Sequence, residues 1–307
     1  MDAMNLKKVK PKINKGDMFF YCVFLAWPVL QFAIFYIGVN FNSVIMSFKS
    51  PETGKFGWEA YARVFDFMKT VEFRGYLGVT LKGFLVTTLI STPLGLLFAY
   101  YIYKKLFGWS SFRVILFLPQ IISGVVIALV FRWLVNDYIP AVLPSVGNLL
   151  ETERFPDTAF PLMMFYIIWI GFGTTVLMYS NKMSSIPEEI IESAHLDGAI
   201  GLKEFWHIVL PLSFSTVSVF LITGVSQIFI NQFGAYELYN GMSDPSFKGI
   251  GYWFFVKVKG LSAGALDPTK TPALYEYAAF GIILTIITIP VALTVRWATE
   301  KFGPSEE

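Results

Sequence analysis

Six stretches of this sequence contain no Asp, Glu, Lys, Arg or His: Met18–Phe48, Gly83–Tyr103, Val114–Phe131, Thr158–Asn181, Ile208–Tyr236 and Tyr277–Val295. Each reaches the roughly 18 residues that a helix needs to cross hydrocarbon. Backbone N–H and C=O groups in lipid must pair within their own segment, so such runs predict helices and not strands. The expected fold is an all-α membrane protein with six transmembrane helices. Only 15% of the 307 residues are charged, against about 25% in an average soluble domain. The first run is too long for a signal-peptide core and no small-residue cleavage pattern follows it, so it reads as a retained helix. Pro28, Pro93, Pro119 and Pro290 fall inside spans, where kinks or helix starts are tolerated.

The net charge of +2 favours no particular partner, and no basic cluster interleaved with aromatics suggests nucleic acid. Cys22 is the single cysteine and cannot form an intrachain disulfide; no Cys/His spacing suggests a metal. No Gly-x-x-x-x-Gly-Lys-Ser/Thr stretch is present to cradle a phosphate, and no Ser, His and acid set or His-Glu-x-x-His run nominates catalysis. The expectation is a chain with no catalytic residue, no metal and no cofactor of its own.

Lys7, Lys8, Lys10, Lys12 and Lys15 form a basic tail over residues 1–16. With Lys104, Lys105 and Arg113 in the short second connection, it places both termini on the cytoplasmic side. A single membrane domain would occupy 17–302, followed by a short tail at 303–307. The outer connections 49–82, 136–157 and 237–276 are long enough to have functions of their own. The first is expected to hold a short helix reaching Met68, and the last the aromatic run Tyr252-Trp253-Phe254-Phe255.

The polar connection 182–211 is the most distinctive. Ser185 followed by Glu188 fits a capping box. Pro187 suits a first turn, and Glu188 and Glu189 favour the positive end of a helix dipole. These signals predict a helix over about 187–196, stopped by Gly198, then a second short helix over 202–207 leading to Pro211. Such a device suits docking to a soluble partner, or resting on headgroups; its three glutamates argue against anionic lipid. His195 and His207 read as polar residues of a solvated surface.

Glu192-Ser193-Ala194, three residues, Gly198, nine residues, then Ile208-x-Leu210-Pro211 resembles the Glu-Ala-Ala loop of type I ABC importer permeases, with Ser193 in place of the first alanine. Asp17–Phe48, Phe56-Gly57-Trp58-Glu59-Ala60-Tyr61, Arg113–Pro119 and Arg132-Trp133-Leu134-Val135-Asn136-Asp137 are similar to the carbohydrate-uptake branch, near the larger maltose-type permease subunit without its N-terminal extension. The resemblance implies a bacterial or archaeal cytoplasmic (inner) membrane. It also implies a second permease subunit, two ATPase subunits that use ATP and Mg, and an extracytoplasmic solute-binding protein. By the same likeness, Glu192, Ser193, Ala194, Asp197, Gly198, Ile208, Leu210 and Pro211 would couple the permease to the ATPases. Glu192, Ala194, Asp197 and Gly198 would lie in the ATPase cleft.

No charged residue lies deep in any of the six runs, which argues against a proton-driven carrier and agrees with a neutral cargo. Thr223, Gln227 and Asn231 recur every four residues and would share one helical face, flanked by Ser226 and Gln232. Amides facing lipid are costly, so the stripe should meet a cavity or another helix. Tyr166 and Trp169 would supply aromatic faces for a sugar. The expected function is import of a sugar or oligosaccharide. The alternatives are an anionic solute such as a glycerol phosphate or a uronic-acid oligomer, or a self-sufficient carrier or channel.

Overall fold

A computed structural model describes residues 15–143, 156–239, 248–262 and 271–304. Most of the basic tail, including Lys7 to Lys12, lies outside them, as do Pro144, Pro245, Pro268 and the last three residues.

The first apolar run forms α1 (Lys15–Gln31) and α2 (Val39–Ser47), joined by a π-helical turn over Phe32–Gly38. Its apolar residues are exposed almost throughout, and only its end at Ser47 is buried, hydrogen-bonded to Tyr61 at 2.8 Å. Tyr61 lies on α3 (Glu59–Met68), the short helix expected in the first connection.

Helix α4 (Val71–Tyr103) begins twelve residues before the apolar run that predicted it. Thr70 caps it, its hydroxyl accepting from Phe73 N at 3.2 Å. Lys82, placed by the hydropathy pattern in a loop, is therefore a helical residue. The expected third span is broken. α5 (Trp109–Ile121) stops where Ile122 turns extended, and α6 (Gly124–Trp133) starts after Ser123. A Ser-Gly pair is a weak helix former, and Pro119 has already removed one helix hydrogen bond. A π-helical turn, Leu134–Tyr138, joins α6 to α7 (Ile139–Val142), so the membrane-length helix runs Gly124–Val142.

Helix α8 (Pro156–Ser184) packs along α4 and α5. The polar connection holds α9 (Glu188–Leu196) and α10 (Leu202–Glu204). A π-helical turn over Phe205–Val209 and α11 (Leu210–Leu212) then lead to α12 (Phe214–Ser226). The two halves of this fifth span meet at a 62° bend. Pro211 lacks the N–H that would hold the turn before it, and Ser213 departs from helical geometry at φ −101°, ψ 2°.

α13 (Ala235–Tyr239) and α14 (Ile250–Ser262) occupy the last connection, so its aromatic run is helical. α15 (Thr271–Phe302) closes the chain. Among the described residues, five helices are long and apolar enough to cross a membrane, and six if the bent pair counts as one. The core of the described residues has three clusters. One, at the α3 end, joins α3, α4, α14 and α15; a central one joins α6, α8, α13 and α14. The third, at the α9 end, joins α4, α8, α9 and α12.

Candidate coupling site

α9 lies at one end of the bundle. Ile191 and Ala194, three apart, form its buried face, while Glu188, Glu189, Glu192, Ser193 and Asp197 remain exposed. Ala194 is 6% exposed and packs toward the bundle, which removes it from the outward surface that family likeness gave it. Ile208 and Leu210 likewise pack against the core cluster at this end.

The two ends of α9 are built differently. No side chain caps its start: Ser185 donates instead to Lys182 O at 2.7 Å, so the expected capping box is absent. The hydroxyl finds a nearer acceptor in the frayed end of α8. The acidic first turn, Glu188 and Glu189, remains to face the helix dipole. The far end matches expectation. Gly198 has φ +78°, Gly198 N donates to His195 O at 3.0 Å, and Ala199 N donates to Ala194 O at 2.9 Å. This bond pair is a Schellman stop, which a left-handed glycine provides at no side-chain cost.

The residue that sequence reasoning missed is Glu204. Its side chain is 0% exposed. Lys104 Nζ donates to its two oxygens at 3.1 and 2.9 Å, and His195 Nε2 donates to Oε2 at 2.9 Å. Nearby, Tyr100 donates its hydroxyl hydrogen to Gly201 O at 2.8 Å, and its ring meets Phe205 at 5.0 Å. A signal was present: Glu204 precedes Ile208 by four residues and Pro211 by seven, which puts a charge on an inward face. Its partner Lys104, a hundred residues earlier, was not legible. His195 is thus bound to a buried carboxylate; His207 Nδ1 donates to Lys203 O at 3.0 Å, within its own helix.

The polar stripe is only partly helical. α12 ends at Ser226, with Gln227 as its cap at φ −101°, ψ 4°. Asn231 falls beyond the helix, where its side chain accepts from Phe233 N at 2.8 Å. The periodicity therefore continues no further than Gln227. Three polar residues and a following positive-φ pair, Phe233 and Gly234, favour a turn over another helical rung. Thr223, Gln227 and Asn231 are exposed on this subunit, and Gln232 Oε1 is buried without a hydrogen-bond partner. Tyr166 is 2% exposed, packed on Phe131 at 5.1 Å, and presents no free ring face. Trp169, 38% exposed, lines an apolar groove of about 480 Å³ with Ile90, Leu94, Phe98 and Phe165. Among the described residues, no group of three or more His, Cys, Asp or Glu could hold a metal.

The chain is similar to known proteins. A family described as binding-protein-dependent transport system inner membrane component matches residues 91–305. The multiple sugar-binding transport system permease protein MsmF of Streptococcus mutans is 27% identical over 239 residues, 74% of this chain and 75% of that protein. The arabinooligosaccharides transport system permease protein AraP of Bacillus subtilis is 25% identical over 290 residues, 88% of this chain and 85% of that one. A solved bacterial ABC transporter involved in import of the acidic polysaccharide alginate contains a chain that superposes with a TM-score of 0.74. That match has 21% identity and covers 94% of this chain and 96% of the other. At that identity the likeness is one of fold.

Proposed function

The chain belongs to the family of binding-protein-dependent transport system inner membrane components, and on that premise we propose that it is one permease of a pair that imports a sugar or oligosaccharide. As a permease of that family it is a multi-pass transport subunit of the inner membrane and not an enzyme. The observation that carries the finer reading is α9: two residues anchor it to the bundle, and an acidic outer face is left free at one end. That face suits the cleft of an ATPase subunit on the cytoplasmic side. Two such ATPases, using ATP and Mg, would draw together the α9 helices of the two permeases and turn the pathway outward; hydrolysis would reset it.

The second permease is supported by the first helix. α1 and the π-helical turn after it bury almost nothing against the rest of this chain, so they suit packing against another subunit. A solute-binding protein would dock at the opposite end, over α3 and the start of α15. Glu192, Ser193, Asp197 and Gly198 are assigned to ATPase contact. Ala194, Ile208, Leu210 and Pro211 are assigned to seating that contact on the bundle. Thr223, Gln227 and Asn231 are the candidates for the solute path, with exposed hydroxyl and amide groups that suit a sugar.

The cargo class is supported by relatives named for sugar and arabinooligosaccharide transport. The test is uptake by the purified complex in proteoliposomes, using labelled arabino- and galacto-oligosaccharides beside alginate oligomers. ATP-dependent uptake of a neutral oligosaccharide is expected. Uptake by this polypeptide alone, without ATP, would overturn the reading.

A further inference from the structure

Glu204 is, among the described residues, the one charged side chain that is fully buried. A carboxylate removed from water is costly unless it is paired and hydrogen-bonded. Here both conditions are met by partners from two other elements: Lys104, which ends α4, and His195, on α9. One turn back along α4, Tyr100 holds the Gly201 carbonyl. The docking helix is thus tied sideways to the end of α4 by charge-assisted contacts.

The covalent route from α9 to the next membrane helix is softer. It passes two positive-φ glycines, Gly198 and Gly201, then a π-helical turn, then the 62° bend at Ser213. A displacement entering α9 must pass each of these breaks along that route. Between α9 and α4 it crosses only the contacts of Glu204 with His195 and Lys104. α4 is one continuous helix of 33 residues, and Gly95 lets it lie close against Thr175 and Tyr179 of α8. At its other end, Thr80 accepts from Ile250 N at 2.8 Å, joining it to α14.

We infer that Glu204 is a positioning residue for energy coupling: with Lys104 and His195 it makes α4, and not α12, the first membrane helix to follow α9. This rests on the proposal that α9 receives ATPase work. A path of this kind needs evidence that separates the two segments.

Hydrogen exchange on the whole complex, nucleotide-free and trapped with MgATP and vanadate, provides it. In the unaltered protein, trapping should change exchange both in α9 and at Leu96–Tyr103. In E204Q, α9 should still respond while the response at Leu96–Tyr103 falls about tenfold, the scale of a lost hydrogen bond to a charged group. K104M should do the same, and it is the variant to use if E204Q does not assemble. E204D should restore part of the response. A merely structural role would raise exchange in both states without separating the segments, and would overturn the inference. So would a full response at Leu96–Tyr103 in both variants. An unaltered complex whose α9 ignores nucleotide would overturn the docking proposal itself, and this inference with it.

Discussion

Gly173 on α8 lies directly against Leu116 on α5: a β-carbon at position 173 would run into the Leu116 carbonyl oxygen and come within 3.2 Å of Phe117 Cα. Close approach of two membrane helices through a small residue lets the backbones pack without side chains between them. Gly173→Ala should therefore force α5 away from α8, at a cost of roughly 1–3 kcal/mol. Gly171, on the same helix, has nothing within 4 Å of its own β-carbon position. Gly171→Ala should be neutral or slightly stabilising, because alanine is the better helix former. Thermal unfolding of the two variants in detergent checks the contrast.

Gly198 is constrained by its backbone alone. Its φ is +78°, and no atom lies within 4 Å of where a β-carbon would stand. Gly198→Val should cost more than Gly198→Ala, which should cost about 1–2 kcal/mol, and Gly198→Asn least of the three. If α9 is the docking helix, the valine variant should keep hydrolysing ATP while uptake falls, with the membrane helices still inserted. Unchanged uptake in proteoliposomes would count against the docking role.

These two glycines mark how far the sequence could be read. Gly198 was legible because a stop signal is local: an acidic first turn, nine helical residues and a glycine. Gly173 was not, because its importance comes from Leu116, more than fifty residues away. The same division holds elsewhere. Among the described residues, hydropathy located four of the five unbroken membrane-length helices, all but Gly124–Val142, since solvent is felt by each residue separately. It misplaced the start of α4 and missed the break at Ser123, where turn chemistry and packing decide. It also hid α14, whose sequence carries two lysines, Lys257 and Lys259, just after its aromatic run. At the proposed coupling end, Glu192 and Asp197 are exposed while Ala194 is buried, a difference that only packing reveals, and Glu204 was overlooked because its meaning lies in Lys104.

Gln227 and Asn231 have different duties despite the shared spacing. Asn231 accepts from Phe233 N and so shapes the turn after α12, whereas the Gln227 side chain is exposed at the helix end. Gln227→Leu should lower uptake and leave assembly intact, if the amide faces the solute path. Asn231→Leu should weaken the turn by about 1 kcal/mol in addition, whereas Asn231→Asp keeps the acceptor and should retain assembly. Uptake rates beside size-exclusion profiles of the complex distinguish these outcomes. Loss of assembly in Gln227→Leu would make that residue a contact between helices.

At the other end of the bundle, Arg63 of α3 bridges Glu276 of α15 at 2.8 Å and Glu52 at 2.6 Å. The hydrogen bond that Arg63 donates to Glu276 is the main cause that holds the guanidinium above its ordinary range, with Glu52 adding to it. A raised cationic group contributes stability below its unfolded pKa and loses it only as pH climbs through the folded one. For arginine that lies far above neutrality, so the Arg63 side of the bridge should add no pH dependence between about pH 5 and 9. Arg63→Gln should have a small effect that shrinks further in high salt, because these side chains are exposed. Melting curves at two salt concentrations test this.

Lys82 offers the sharpest test of cargo charge. Because α4 starts at Val71, Lys82 lies three turns inside a membrane-length helix, exposed and with no ion pair or hydrogen bond to the described residues. A cation in that position is costly against lipid and is retained where it meets water, headgroups or an anion. A neutral sugar gains little from it, so Lys82→Gln should change arabino- or galacto-oligosaccharide uptake by less than about twofold, within the small worth of one screened charge. An acidic oligomer would lose a direct attraction, and its uptake should then fall about tenfold, equivalent to ~1.4 kcal/mol. Parallel uptake of a neutral oligosaccharide and an alginate oligomer by the same variant separates the two. A tenfold loss confined to the acidic oligomer, with that oligomer the better substrate of the unaltered complex, would replace the neutral-sugar reading with an anionic one.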